Sequence, residues 1–250
     1  MSKIMIGRQF CGPPNSGNGG YVCGVLAEGL EGPVTAVLRA PIPLDVDLDL
    51  ERQDGGTVLT GEGGGLIGQA GAARTELPEP PPAPSLEAAR AAGARHMGHA
   101  ERVHPICFTC GTAREEGDGL RVFAGPLEGA APGVVACTWR AHERFARPDG
   151  TIAQEVVWAA LDCPGYFAWV EKEGRHGALL GTMTGEVLKA PRAGEECILV
   201  AWPIAKEGRK ETAGVALYSS DGELLGRAHQ VWIVIGPAPG PAPMKAAAEA

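Results

Sequence analysis

The stretch "VLTGEGGGLIGQA", Val58 to Ala70, falls without a gap on "ALYSSDGELLGRA", Ala216 to Ala228, at an offset of 158 positions. Leu59, Gly64, Leu66, Gly68 and Ala70 meet Leu217, Gly222, Leu224, Gly226 and Ala228. Both copies read as a strand, a glycine turn and a second strand. A shared segment of this kind makes two similar units the first expectation, and 250 residues leave room for two modest domains with a real core each.

Upstream, each half carries one helix candidate, Gly19 to Leu30 and Ile152 to Val170. Strand-like text follows both. In the first half it runs over Val34 to Arg39, Asp45 to Gln53, Thr57 to Thr60 and Leu66 to Ala73. In the second it runs over Ala178 to Leu188, Cys197 to Ala205, Thr212 to Tyr218 and Leu224 to Ile235. One apolar helix followed by a run of antiparallel strands, made twice, predicts an α+β protein with each sheet curled around its helix. A helix without a clean polar face is expected where a sheet wraps most of it.

The units divide at residues 1–75, 76–104, 105–235 and 236–250. "TELPEPPPAPSLEAARAAGARHMGHAERVHP", Thr75 to Pro105, reads as a Pro/Ala-rich linker. Ser85 to Arg95 within it is either a short helix capped by Ser85 or a mobile segment. The tail from Gly236 has no apolar period and reads as disordered.

With 37 glycines and 21 prolines, short strands and turns are favoured over a helical bundle. The net charge of -8 argues against nucleic acid or anionic membrane surfaces as partners. The N-terminus "MSKIMIGRQF" lacks the apolar core of a signal peptide, and no apolar run is long enough to span a bilayer. A cytoplasmic location is therefore expected, with the seven cysteines as buried reduced thiols rather than disulfides.

Several motifs fail on context. Gly63, Gly65 and Gly68 fit GxGxxG but sit in a strand-turn-strand with no helix after them. No GxSxG surrounds a serine and no Walker lysine exists. His104, Cys107 and Cys110, with His96 and His99 nearby, have spacings zinc would accept, but a second CxxC is missing; packed small thiols are the preferred reading, and no metal or cofactor is assigned. In "DVDLDLE", Asp45, Asp47, Asp49 and Glu51 share one strand face, solvated or a calcium perch, while Val46, Leu48 and Leu50 point inward.

Asp162 stands among apolar neighbours in "WAALDCPG", a position where an ionised carboxylate is costly without partners. A helix-end carboxylate before Pro164 is the structural alternative. Thr182 and Thr184 share a strand face, and Gln230 interrupts the apolar last strand where its counterpart is Ala72. Glu155, at the start of the second helix, is a further carboxylate candidate or a first-turn acid.

The chain resembles the double hotdog acyl-CoA thioesterase superfamily. "NSGNGGYVCGVLA" (Asn15 to Ala27), "CFTCG…GDGLRVF" (Cys107 to Phe123), "VWAALDCPGYFAW" (Val157 to Trp169) and "DGELLGRAHQ" (Asp221 to Gln230) carry the resemblance. It extends from Lys3 to Ile235 apart from the linker, and implies a tandem hotdog fold. Asn18 stands where hotdog thioesterases often have a histidine. Acyl-CoA thioesterase II holds its attacking water with an Asp, a Thr or Ser, and a Gln. By position these fall on Asp162, Thr182 with Thr184 as substitute, and Gln230. The family's Asp-His after the hydroxyl and Gln-Glu-Gly at the glutamine are replaced here by Thr184-Gly185 and Gln230-Val231-Trp232.

The resemblance thus implies hydrolysis of an acyl-CoA or related thioester. The amides of Asn15, Asn18, Gly19 and Gly20 at the helix N-terminus would face the thioester carbonyl. The alternatives are a non-catalytic acyl-CoA or acyl-chain binder and, less favoured, an enoyl-CoA hydratase. Hotdog hydratases use an Asp and a His five apart, and no His here follows an Asp at that distance. Open sheet edges in each half suggest a homodimer.

Overall fold

The computed structural model describes residues 2–101 and 103–237. The strands are β1 (Ser2–Met5), β2 (Val34–Leu38), β3 (Asp47–Gln53), β4 (Gly56–Thr60), β5 (Leu66–Ala72), β6 (Gly125–Pro126), β7 (Val135–Arg140), β8 (His176–Val187), β9 (Glu196–Glu207), β10 (Lys210–Ser219) and β11 (Leu224–Pro237). The helices are α1 (Gly19–Ala27), α2 (Leu86–Ala94), α3 (Gly98–Glu101), α4 (Gln154–Ala160) and α5 (Cys163–Glu173). All eleven strands join one antiparallel sheet in the order β1-β3-β4-β5-β2-β8-β11-β10-β9-β7-β6.

The repeat is present down to its register. Leu59 pairs with Gly68 as Leu217 pairs with Gly226, and Thr57 with Ala70 as Val215 with Ala228. Both hairpins carry a register shift at the same step, Leu59/Thr60 and Leu217/Tyr218. The halves meet at β2 and β8, where Val34, Thr35, Ala36 and Val37 pair with Gly185, Thr184, Met183 and Thr182. The inner edges of the two halves seal each other, and each half keeps one outer edge, β1 in the first and the two-residue β6 in the second.

α1, α4 and α5 cover one face of the sheet. Asn18 caps α1, its side-chain oxygen accepting from the Tyr21 amide at 2.9 Å. α1 lies against α4 through two glycines one turn apart. A Cβ at Gly20 would stand 2.6 Å from the Asp162 Cβ and the Trp158 carbonyl oxygen, and one at Gly24 would stand 2.5 Å from the Glu155 Cα. Only hydrogen at both positions permits this approach.

Three expectations need correction, and of the two readings left open for Ser85 to Arg95 the capped helix is the one found. The single helix Ile152 to Val170 is two, α4 and α5, broken at Leu161–Asp162. Pro164 is the cause: it has no amide to donate to Ala160, and its ring crowds that carbonyl. Residues 86–94 of the proline-rich segment form a helix with its Ser85 cap, the Ser85 hydroxyl accepting from the Ala88 amide at 3.1 Å. Ala89 and Ala92 bury themselves on the other face of the sheet, against Ala136, Ile198 and Val200. Val46, expected inward, is 45% exposed, and Asp45 lies before the strand at a φ of 58°, holding Arg8 by its amide and Nε. The last strand runs on through Pro237, and the rest of the expected tail, 238–250, lies outside the described residues.

Candidate active site

The break between α4 and α5 is held from the sheet. The Gln230 amide nitrogen donates to the carbonyl oxygens of Leu161 (2.6 Å) and Asp162 (2.9 Å), and its oxygen accepts from the Trp232 indole at 2.8 Å. Gly165 makes room, since a Cβ there would stand 1.8 Å from the Gln230 oxygen. With both ends of its amide engaged and no exposed surface, Gln230 positions the helix break and presents nothing to a substrate.

Asp162 is set down by that break against the N-terminus of α1. Its Oδ2 accepts the Gly20 amide at 2.9 Å, while Oδ1 has no hydrogen-bond partner. The side chain is 3% exposed. Burial pushes its pKa up to about 7; the Gly20 amide and Asn18 pull the other way, and the neighbouring Cys107 adds to the rise. The carboxyl group is therefore poised to hold or release a proton near neutrality.

Asp162 lines a cavity of about 610 Å³ that runs between the two halves. Leu38, Ile42, Leu180, Trp232 and Ile233 make its walls apolar, and the loop from Gly12 to Gly19 with Arg39 and Ala40 completes its margin. Among the described residues no hydrogen bond ends on the Gly19 amide, which belongs to the same wall. Arg39 is exposed and, among the described residues, has no ion-pair partner. Asn15 is exposed on that loop, and Asn18 is buried, its amide nitrogen 3.9 Å from the Cys107 sulfur.

Cys107, Cys110 and Cys163 share this end of the cavity with His104 and Tyr166. The Cys107 thiol lies well below its ordinary pKa because the Cys110 and Cys163 thiols donate to it, helped by backbone amides of Cys110 and Thr109. Those two thiols are raised in consequence. His104 is held below its ordinary value by burial.

The structure thus brings together Asp162, Asn18, Gly19 and Gly20, with Asn15 on the cavity margin and Gln230 behind the helix break, and leaves Thr182, Thr184 and Glu155 elsewhere. Thr182 and Thr184 flank Met183, which is in the core on the helix side, so strand alternation puts both hydroxyls on the opposite face. Thr184 bonds the Thr35 hydroxyl at 2.8 Å, and Thr182 lines a different hollow with His229 and Val231. Glu155 faces Arg147 at 3.7 Å and lies outside the Asp162 cavity. Two signals in the sequence point to this site: Cys163 directly follows Asp162, and Gly20 and Gly24 are spaced one turn apart where α1 seats on α4.

No protein-family model matches the chain, and no curated protein matches it in sequence. By structure it is similar to the tesB protein of Mycobacterium avium subs. paratuberculosis, at 15% identity over 89% of this chain and 89% of that one, with a TM-score of 0.57. It is also similar to a thioesterase candidate from Novosphingobium aromaticivorans, at 16% identity over 94% and 95% of the two chains, with a TM-score of 0.60. At these identities the likeness is one of fold: over nearly its whole length the chain is folded as these two structures are.

Proposed function

We propose that this chain is a tandem double hotdog, with units 1–75 and 105–235 joined by 76–104, that hydrolyses an acyl thioester of the acyl-CoA class at Asp162. The observation that carries the reading is the contact between the halves. A buried carboxylate of the second half accepts the Gly20 amide at the N-terminus of α1 from the first, at one end of an apolar cavity. The matched hairpin registers and the two thioesterase-fold neighbours support the architecture.

In this reading the acyl chain lies along Leu38, Leu180, Trp232 and Ile233, where burial of apolar surface supplies binding energy. The unpartnered Oδ1 of Asp162 takes a proton from water as its oxygen attacks the thioester carbon. The carbonyl oxygen gathers charge against the Gly19 amide and the positive end of α1. The C–S bond then breaks as the leaving sulfur takes the proton back from Asp162, giving acid and free thiol and restoring the carboxylate. Arg39 at the margin is the cation suited to the phosphates of a CoA moiety.

The test is thiol release from acyl-CoAs of graded length by the wild-type chain and by Asp162→Asn. Asparagine keeps the acceptor for Gly20 but cannot take a proton, so turnover is expected to fall by roughly 100-fold or more with acyl-CoA binding retained. Binding without thiol release at every chain length would replace hydrolysis by the non-catalytic reading. The engagement of Gln230 and the outward threonines favour that second reading.

A further inference from the structure

The thiols beside Asp162 take no part in that hydrolysis. Cys107 and Cys110 lie on the loop before β6, and Cys163 opens α5. Their sulfur atoms all lie within 4.8 Å of one another. All three residues are buried, and all three line the cavity that Asp162 lines. The sulfurs of Cys107 and Cys163 are 3.7 Å apart. Two thiolates bound tetrahedrally to one zinc ion at ~2.3 Å each stand about 3.8 Å from one another, so this pair already has the required spacing.

The loop is tied down on every side. The Cys107 carbonyl accepts the Gly111 amide at 2.9 Å, and the Ala113 amide returns to Pro105 at 2.9 Å. The Thr109 hydroxyl, between the two cysteines, donates to the Ala159 carbonyl of α4 at 2.8 Å. Phe108 donates its amide to Cys11 and receives that of Leu120. A Cβ at Gly111 would stand 2.4 Å from the Cys107 oxygen, so the tight turn that brings the loop's two sulfurs together needs a glycine. The sulfur geometry is thus preorganised by backbone and not left to side-chain rotation.

A second feature points to a ligand. Oδ1 of Asp162, on the same cavity wall, is buried and has no partner. An orphaned buried oxygen is costly unless something in the cavity serves it. We propose that Cys107, Cys110 and Cys163 form a three-thiolate site for a thiophilic cation, zinc fitting best, with its remaining position open to the cavity that Asp162 lines. Thiolates select such ions over magnesium or calcium, and three protein ligands with one open position mark a site meant for an exchangeable ligand. As the ion binds, the thiol protons are released and three metal–sulfur bonds form, with no change of oxidation state. The site would exist whether or not Asp162 hydrolyses thioesters, and its test does not read activity.

The full chain, kept reduced and stripped with a chelator, is titrated with Co²⁺ and then with Zn²⁺. One equivalent of cobalt should bring up a sulfur-to-metal charge-transfer band that zinc abolishes. Cys110→Ser and Cys163→Ser should each weaken binding by more than the roughly 10- to 100-fold that loss of an outer-sphere partner costs. Cys137→Ser, on β7, should leave binding unchanged. If a variant fails to fold, X-ray absorption on the zinc-loaded wild type decides the matter, with three sulfur neighbours expected at about 2.3 Å. A first shell of nitrogen and oxygen alone, or equal binding by Cys163→Ser and wild type, would overturn the proposal.

Discussion

Gln230→Leu separates two accounts of the same residue. By the resemblance in sequence this glutamine would hold a catalytic water; by geometry it holds the α4–α5 break. Leucine of similar size removes two donors from the Leu161 and Asp162 carbonyls and the acceptor of the Trp232 indole. The Asp162 carbonyl keeps a long bond from the Gly165 amide at 3.4 Å, so its loss is partial. A buried polar group left without a partner costs about 1–3 kcal/mol, so the sum is on the order of 3–6 kcal/mol. That is a large share of the roughly 5–15 kcal/mol that holds a domain folded. Urea unfolding followed by tryptophan fluorescence should show the midpoint falling, and the melting temperature should drop by roughly 10–20 °C. Thiol release measured below the new transition should fall because Asp162 is no longer set against Gly20. Unchanged stability with lost activity would refute the holding role and return Gln230 to the chemistry.

Gly24→Ala places a methyl 2.5 Å from the Glu155 Cα, so α1 must lift from α4, costing about 1–3 kcal/mol in urea unfolding; an unchanged midpoint would show that the helices are not locked there. His96 is buried, its Nδ1 donates to the Ala124 carbonyl at 2.7 Å, and burial lowers its pKa to about 4. The unfolded chain binds that proton near pH 6.5, so stability is full above this value and is lost as pH falls toward 4. Relative to pH 8, wild type should lose about 2 kcal/mol more at pH 5 than His96→Gln, and parallel pH profiles would count against this. Arg39→Ala should raise KM for acyl-CoA several-fold while leaving thioesters of short, uncharged thiols untouched; equal effects on both would remove Arg39 from phosphate binding.

The repeat at an offset of 158 was legible because a hairpin states its own register: glycine turns and paired leucines recur wherever the same bulge does. Asp162 was legible because a carboxylate among buried apolar residues must be accounted for. The hydroxyl partner was not. A register shift between Val231, which pairs with Thr182, and Trp232, which pairs with Leu180, leaves Gly181 without a partner between them. The shift resets which side chains of β8 face the helices, and a slip of one residue sends a threonine to the far side of a sheet. β7 went unread because it follows the Gly- and Pro-rich "PLEGAAPG" and shows no alternation, being buried over most of its length. The cysteine cluster joins a CxxC to a residue more than fifty positions on, and nothing in spacing alone connects them.

The seam between β2 and β8 also governs how the protein behaves when it is scarce. The amides of α1 and the carboxylate they meet are carried on one polypeptide, and the pairing of Val34 to Val37 with Thr182 to Gly185 is intramolecular. Their effective concentration is set by the connecting chain, so it does not fall on dilution. A site shared between separate subunits empties as its dimer dissociates. This one should retain its activity per mole from micromolar stocks down to the lowest concentration an assay can detect.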